Sequence, residues 1–303
     1  MLVMKCVRML AALLAAVLLW GAVSSARAEG LHVVASTFPM YQLLQQVTQG
    51  REGMRTALLI PAQTGCPHDY MMSPADMRKL ESADVLVLNG LGMEDFLNGA
   101  VASGHVPVVI DTSAAVPDVL PLADEEEHGS GRNPHLFTSP RNLARMARYL
   151  GAELGRLDAG GAALFAANAD RYAQALEAVA AEAEALGGRL ACRNIVTQHG
   201  VFDYLARDMG LHIVAVVQAH AGHEPSAAEL IRLSRRLKEA RAGAIFIEPQ
   251  YPRKAGETLS RESGVPLAAL DPAASGPEDA PLDYTLSRMR ENLHILEETL
   301  GTH

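Results

Sequence analysis

Cysteine is scarce: of 303 residues only Cys6, Cys66 and Cys192 are cysteine, which excludes a scaffold stapled by several disulfides. Basic residues are outnumbered, 26 Lys and Arg against 35 Asp and Glu, for a formal charge of −9. An acidic chain argues against nucleic acid and anionic lipid as partners, and suits the attraction of cations. Catalytic signatures are missing. No His-Glu-x-x-His and no Gly-x-Ser-x-Gly occurs, so the common zinc-protease and serine-hydrolase patterns have no footing. Apolar runs long enough to span a bilayer are missing too. The longest, Met9 to Val23, has 15 residues against the ~20 that a spanning helix needs.

That run has the flanks of an export signal. Lys5 and Arg8 precede it, and Ser25-Ala26-Arg27-Ala28 follows with the small-x-small pattern of a processing site, so cleavage is expected before Glu29. Cys6 lies ahead of the apolar run, the wrong place for a lipid-anchored N-terminus, so a soluble periplasmic protein is expected. Residues 1–28 are thus read as a signal peptide, and their loss takes Lys5, Arg8 and Arg27 and moves the charge to −12. What remains is long enough for two domains or one large one.

Short β-branched runs alternate with helical stretches. Strands are expected at Leu31–Ser36, Met54–Ile60, Asp84–Asn89 and Pro107–Asp111, and again at Arg193–Gln198, His212–Gln218, Ala242–Glu248 and Pro266–Asp271. Helices are expected at Pro74–Ser82, Ser139–Leu154, Ser226–Arg241 and Arg253–Ser263. Ser73-Pro74 and Ser139-Pro140 place a capping hydroxyl before a proline suited to the first helical position. Ser226 with Glu229 forms a capping box. The alternation predicts parallel sheets in α/β units. Ala159 to Leu186 differs. It is Ala-rich and free of proline, and Leu164, Tyr172, Leu176, Val179 and Leu186 recur at helical spacing. One helix of about 25 residues, nearly ~40 Å long, is predicted there. The expected fold is α/β with two lobes, each a four-stranded, mainly parallel sheet with flanking helices. The lobes span 29–157 and 189–303, and one long helix, 158–188, joins them.

Histidine position carries the chemistry. His68 lies between the second strand and the helix at Pro74. His135 stands just before the helix at Pro140. His199 follows the strand ending at Gln198, and Asp271 ends the last strand. Each is at or near a strand-to-helix junction, where open α/β sheets bind ligands. A closed cleft would gather two from each lobe. Singly, each also reads as an ordinary polar loop residue.

The chain resembles the zinc- and manganese-binding proteins of bacterial ABC importers, the cluster A-I zinc-uptake family. The resemblance runs in order through Ala35-Ser36-Thr37-Phe38-Pro39, Pro67-His68-Asp69-Tyr70, Ala83 to Gly90, Asn133-Pro134-His135-Leu136-Phe137, Thr197-Gln198-His199-Gly200, Ile247-Glu248-Pro249 and Leu270-Asp271-Pro272. It implies a two-lobed metal carrier with His68, His135 and His199 as ligands and Asp271 as the fourth by position. It implies an inner-membrane ABC permease as partner to a monomer. Glu248 and Glu224 stand as fallback ligands or as acceptors behind a ligand. Three imidazoles and a carboxylate suit Zn2+ better than Mn2+.

Two departures from the family pattern stand out. Cys66 occupies a position where aspartate is common, and it reads either as a zinc-binding thiol or as a buried spectator. Pairing with Cys192 is disfavoured: Cys192 precedes the strand that His199 follows, ~20 Å away at ~3.3 Å per residue, whereas cystine needs Cα atoms within about 7 Å. Ala219 to His223 is rich in histidine, and His220 and His223 read as a capture site or a solvated loop. The acidic insert Asp124–Asn133, with Glu125, Glu126, Glu127 and His128, likewise reads as a solvated loop or a metal-attracting flap. A metal-dependent adhesin on the same fold and a zinc hydrolase are the alternative functions.

Overall fold

The computed structural model describes residues 30–64, 67, 70–97, 99, 108–122, 131–218 and 224–301. The expected signal peptide therefore lies outside the described residues. Eight strands appear where the β-branched runs fall: β1 His32–Ala35, β2 Arg55–Leu58, β3 Val85–Leu88, β4 Val108–Asp111, β5 Asn194–Thr197, β6 His212–Val216, β7 Ala244–Ile247 and β8 Leu267–Ala269. They form two four-stranded sheets, ordered β2-β1-β3-β4 and β6-β5-β7-β8, with every pairing parallel. The central strands explain why. Val85-Leu86-Val87 and all of Ala244–Ile247 are buried, a continuous apolar pattern that suits a parallel sheet covered on both faces. In each sheet the strand order reverses direction at its centre, between β1 and β3 and between β5 and β7. Crevices open at such reversals, beyond the strand C-termini.

Among the described residues there are eight helices: α1 Phe38–Thr48, α2 Pro74–Glu81, α3 Pro140–Leu157, α4 Ala162–Arg189, α5 Asp203–Met209, α6 Ala227–Glu239, α7 Lys254–Ser263 and α8 Tyr284–Leu300. The marked starts act as such. Ser226 and Glu229 close a capping box, Ser139 Oγ accepts from the Asn142 N–H at 3.1 Å, and Ser73 closes a second box with Asp76. Three helices, α1, α5 and α8, lie beyond the sequence expectations. For α1 the reason is local. Pro39 suggests a loop, yet it sits in the first turn of a helix, where its missing N–H is not needed.

Helix α4 has 28 residues, a rod of ~42 Å at ~1.5 Å per residue. It begins three residues after the expected start, because Asp158 accepts from the Gly161 N–H and pairs with Arg51 at 2.6 Å, holding 158–161 as a turn. Phe165, Ala169, Tyr172, Ala173 and Leu176 are buried in a core under the first sheet. Val179, Ala183 and Leu186 continue the same stripe into a core under the second. The spacing of three and four keeps both sets on one face.

Two adjacent glycines near its end test how tightly α4 docks. A methyl group at Gly187 would lie 2.0 Å from the carbonyl oxygen of Met209 in α5, whereas one at Gly188 meets nothing within 4 Å. Alanine is favoured over glycine in a helix by ~1 kcal/mol. Gly188→Ala is therefore expected to raise stability by up to that amount. Gly187→Ala is expected to lower it by about 1–3 kcal/mol, since backbone must move. Parallel urea unfolding of the two variants checks this, and equal stabilisation would show that the α4–α5 contact yields freely.

Candidate metal centre

The reversal in the second sheet sets the first half of the site. The chain leaving β5 reaches His199 and the chain leaving β7 reaches Glu248, so neighbouring strands deliver an imidazole and a carboxylate to one crevice. Both are buried, and His199 Nδ1 lies 2.6 Å from Glu248 Oε1. Glu248 is itself held in place. Gln250 Nε2 donates to its Oε2 at 2.7 Å, and its backbone N–H donates to Gln198 Oε1 at 2.9 Å. Gln198 in turn donates to Gln218 Oε1 at 3.2 Å.

The second half comes from the loop before α3. His135 is 1 % exposed and its Nδ1 lies 2.9 Å from Asn133 Oδ1. The ring centroids of His135 and His199 are 5.1 Å apart, nearly perpendicular at 78°. Both rings line a cavity whose other walls are largely apolar, from Thr37 and Pro39 at the start of α1, Pro67, Met93, Phe137 and Ala274. His135 Nδ1 faces the Asn133 amide oxygen and His199 Nδ1 lies against the Glu248 carboxylate, and a proton held on Nδ1 leaves Nε2 as the basic nitrogen. Two imidazoles so arranged are electron-pair donors suited to a borderline-soft dication.

The crevice of the first sheet is closed by its own side chains. Ser36 follows β1 and Asn89 follows β3, and buried Glu94 bridges them. It accepts from Ser36 Oγ at 2.7 Å and the Asn89 N–H at 2.8 Å through Oε1, and from the Gly90 N–H at 3.0 Å through Oε2. Burial pushes its pKa up to about 7, against the pull of those three donors. Asn89 Nδ2 then donates to the Pro134 carbonyl at 2.8 Å, tying this knot to the loop that carries His135.

Of the residues singled out in the sequence, His135 and His199 come together. His68 and Cys66 lie outside the described residues, as do His220 and His223, but Pro67 between the first two lines the histidine cavity. Asp271 lines a neighbouring pocket with Thr138, Phe202, Met289 and Asn292. Its Oδ1 accepts from the Ala273 N–H at 2.8 Å, and Asn292 clamps its backbone N–H and carbonyl at 2.9 and 2.6 Å. This turn holds Ala273 at φ +55° and delivers Ala274 to the histidine cavity. Burial raises the pKa of Asp271 above the ordinary carboxylate value. Glu224 is exposed, ahead of α6. Of the acidic insert, residues 123–130 lie outside the described residues, and Arg132 bridges back to Pro121. Among the described residues alone, no three His, Cys, Asp or Glu side chains converge to hold a metal ion. Asn133 is the site residue that sequence reasoning passed over as a ligand-neighbour. Its only signal was its place two residues before His135.

Comparison with known proteins bears on this geometry. The family model described as zinc-uptake complex component A, periplasmic, matches residues 33–299. The high-affinity zinc uptake system protein ZnuA of Bacillus subtilis (strain 168) is 27% identical over 293 residues, covering 91% of this chain and 90% of that protein. The zinc-binding lipoprotein AdcA of Streptococcus pneumoniae serotype 4 is 31% identical over 98% of this chain, which spans 61% of AdcA. Among solved structures, the solute-binding protein FpvC of Pseudomonas aeruginosa in complex with Mn2+ superposes with a TM-score of 0.77. It is 32% identical, and the match covers 89% of this chain and 98% of that one.

Proposed function

We propose, from the premise that this chain belongs to the family of periplasmic zinc-uptake complex components, that it captures a divalent transition metal and delivers it to an ABC permease. Zn2+ is the preferred cargo and Mn2+ the lesser one. His68, His135 and His199 supply three nitrogen donors and Asp271 the fourth position. The observation that carries the reading is the pair of imidazoles from two separate loops, one before α3 and one after β5, with ring centroids 5.1 Å apart and each Nδ1 against an acceptor. A carboxylate behind a ligand histidine orients the ring and raises its basicity, which is the part Glu248 plays for His199. Asp271 is supported by its partial burial and by its turn, three residues from Ala274 on the cavity wall.

A site filled by four protein donors leaves no position for an activated water, so carriage rather than catalysis follows. Three imidazoles favour zinc, since manganese prefers oxygen-rich sites. The carrier acts as an exported monomer, with the processing point at Ala28-Glu29.

Metal analysis of the purified protein, with chelator competition for the wild type and Asp271→Ala, tests this. One zinc per chain, bound more tightly than manganese, is expected, with the variant weakened at least ~10-fold. Zinc bound no better than manganese, or not at all, contradicts the assignment. Tight binding retained in Asp271→Ala transfers the fourth position to Glu248, Glu224, Cys66 or water.

A further inference from the structure

Asn133 is fully buried, and every polar atom of its side chain is used across the two halves of the site. Oδ1 accepts the His135 backbone N–H at 2.9 Å and faces His135 Nδ1 at the same distance. Nδ2 donates to the Gly200 carbonyl at 2.7 Å and to Asp203 Oδ2 at 2.9 Å. Its own carbonyl accepts from Tyr204 Oη at 2.7 Å, and Tyr204 Oη accepts the Leu120 N–H at 3.1 Å. The amide has only one orientation here. A backbone N–H lies on one side and a backbone carbonyl on the other, and neither can reverse its role. Oδ1 therefore has no proton to offer, and the proton between it and His135 belongs to Nδ1.

Gly200 directly follows His199. One amide thus fixes the tautomer of His135 and ties its loop to the peptide after the other ligand. Thr138 Oγ1, donating to the Val201 carbonyl at 2.8 Å, runs alongside but touches neither imidazole.

We propose that Asn133 is the positioning residue of the metal site: it presets His135 with Nε2 as the basic nitrogen and holds His135 and His199 at a fixed separation before an ion arrives. The two ligand rings are then backed differently, His199 by a carboxylate and His135 by a neutral amide. The amide has a donor to spare for the opposite loop, which a carboxylate lacks. The proposal rests on the assignment of His135 as a ligand.

The test uses the full-length exported chain, zinc as the probe, and four proteins: wild type, His135→Ala, Asn133→Ala, and Asn133→Asp combined with Asp203→Asn. The double variant keeps an acceptor at His135 and restores the 133–203 hydrogen bond with its direction reversed, but it has no donor for the Gly200 carbonyl. Ring 15N–1H correlation spectra of the metal-free protein above neutral pH report the tautomer, with the His135 signal identified by its loss in His135→Ala. The wild type is expected to carry the proton on Nδ1, and Asn133→Ala to lose that signature and bind zinc about 10–100-fold more weakly. The double variant is expected to keep the signature and, without the bond to Gly200, to bind between the wild type and Asn133→Ala. An Nε2–H tautomer in the wild type overturns the proposal even where Asn133→Ala does not fold. So does wild-type affinity in a folded Asn133→Ala, or a folded double variant that has lost the Nδ1–H signature. Unweakened zinc binding by His135→Ala instead brings down the ligand assignment, and this proposal with it.

Discussion

His199→Ala is expected to lose zinc affinity by about 100-fold or more, and Glu248→Gln by about 10–100-fold, with both proteins still folded. The first loss is that of a donor nitrogen. The second is subtler, because glutamine is nearly isosteric with glutamate. Glu248 receives a hydrogen bond from Gln250 on Oε2 and faces His199 Nδ1 with Oε1. An amide cannot accept at both ends. If its oxygen faces His199, its NH2 meets Gln250, whose half-buried amide must turn to accept from it. If it turns, its NH2 faces Nδ1, which must then accept, and the ring presents N–H to the ion in place of a lone pair. The first orientation leaves a neutral acceptor behind His199 in place of an anionic one, and the second reverses the tautomer. Competition with a chromophoric chelator at one neutral pH measures both variants. Wild-type affinity in Glu248→Gln would mean that the carboxylate has no part in preparing the ring.

The second large effect is on stability and its pH dependence. Burial lifts the folded-state pKa of Glu94 from its ordinary 4.5 to about 7. A raised carboxyl pKa contributes stability in full below the unfolded value and loses it as pH rises through the folded one. At 1.36 kcal/mol per unit, the loss reaches about 3 kcal/mol between roughly pH 4.5 and pH 8. Glu94→Gln does not titrate. It carries a constant cost, since one end of its amide opposes the N–H of Gly90 or the Ser36 O–H and Asn89 N–H, so the informative quantity is the difference between the two proteins as pH changes. The wild type is expected to lose ground to the variant by about 3 kcal/mol as pH rises over that window. Urea unfolding at three pH values measures it. Parallel curves for the two proteins would mean that Glu94 stays ionised throughout.

Much of this fold is written in local sequence. Runs such as Val85–Leu88 and Ala244–Ile247 announce buried parallel strands by composition, and Ser-Pro pairs announce helix starts. His199 was legible because it stands at a strand end, and His135 because it stands just before a capped helix start. What was hidden depends on neighbours far apart in the chain. Glu248 looked like one of several fallback carboxylates, because nothing local says that β7 lies beside β5. Once the strand order is known, its place against His199 follows. Asn133 was hidden for the same reason: its partners Gly200 and Asp203 are about 70 residues away. Pro39 is ambiguous in the opposite sense, its ring being compatible with both a loop and a first helical turn.

The shared stripe of α4 has a consequence for how the molecule comes apart. The core under the first sheet takes Phe165 to Leu176 from this helix, and the core under the second takes Val179 to Leu186. Neither core is complete without the rod that the other also requires. If one half lets go, it frays the helix on which its counterpart depends, and the loops that carry His135 and His199 separate at the same moment. Both halves are then expected to melt as one cooperative event, and an ion held by both loops would steady the whole chain at once.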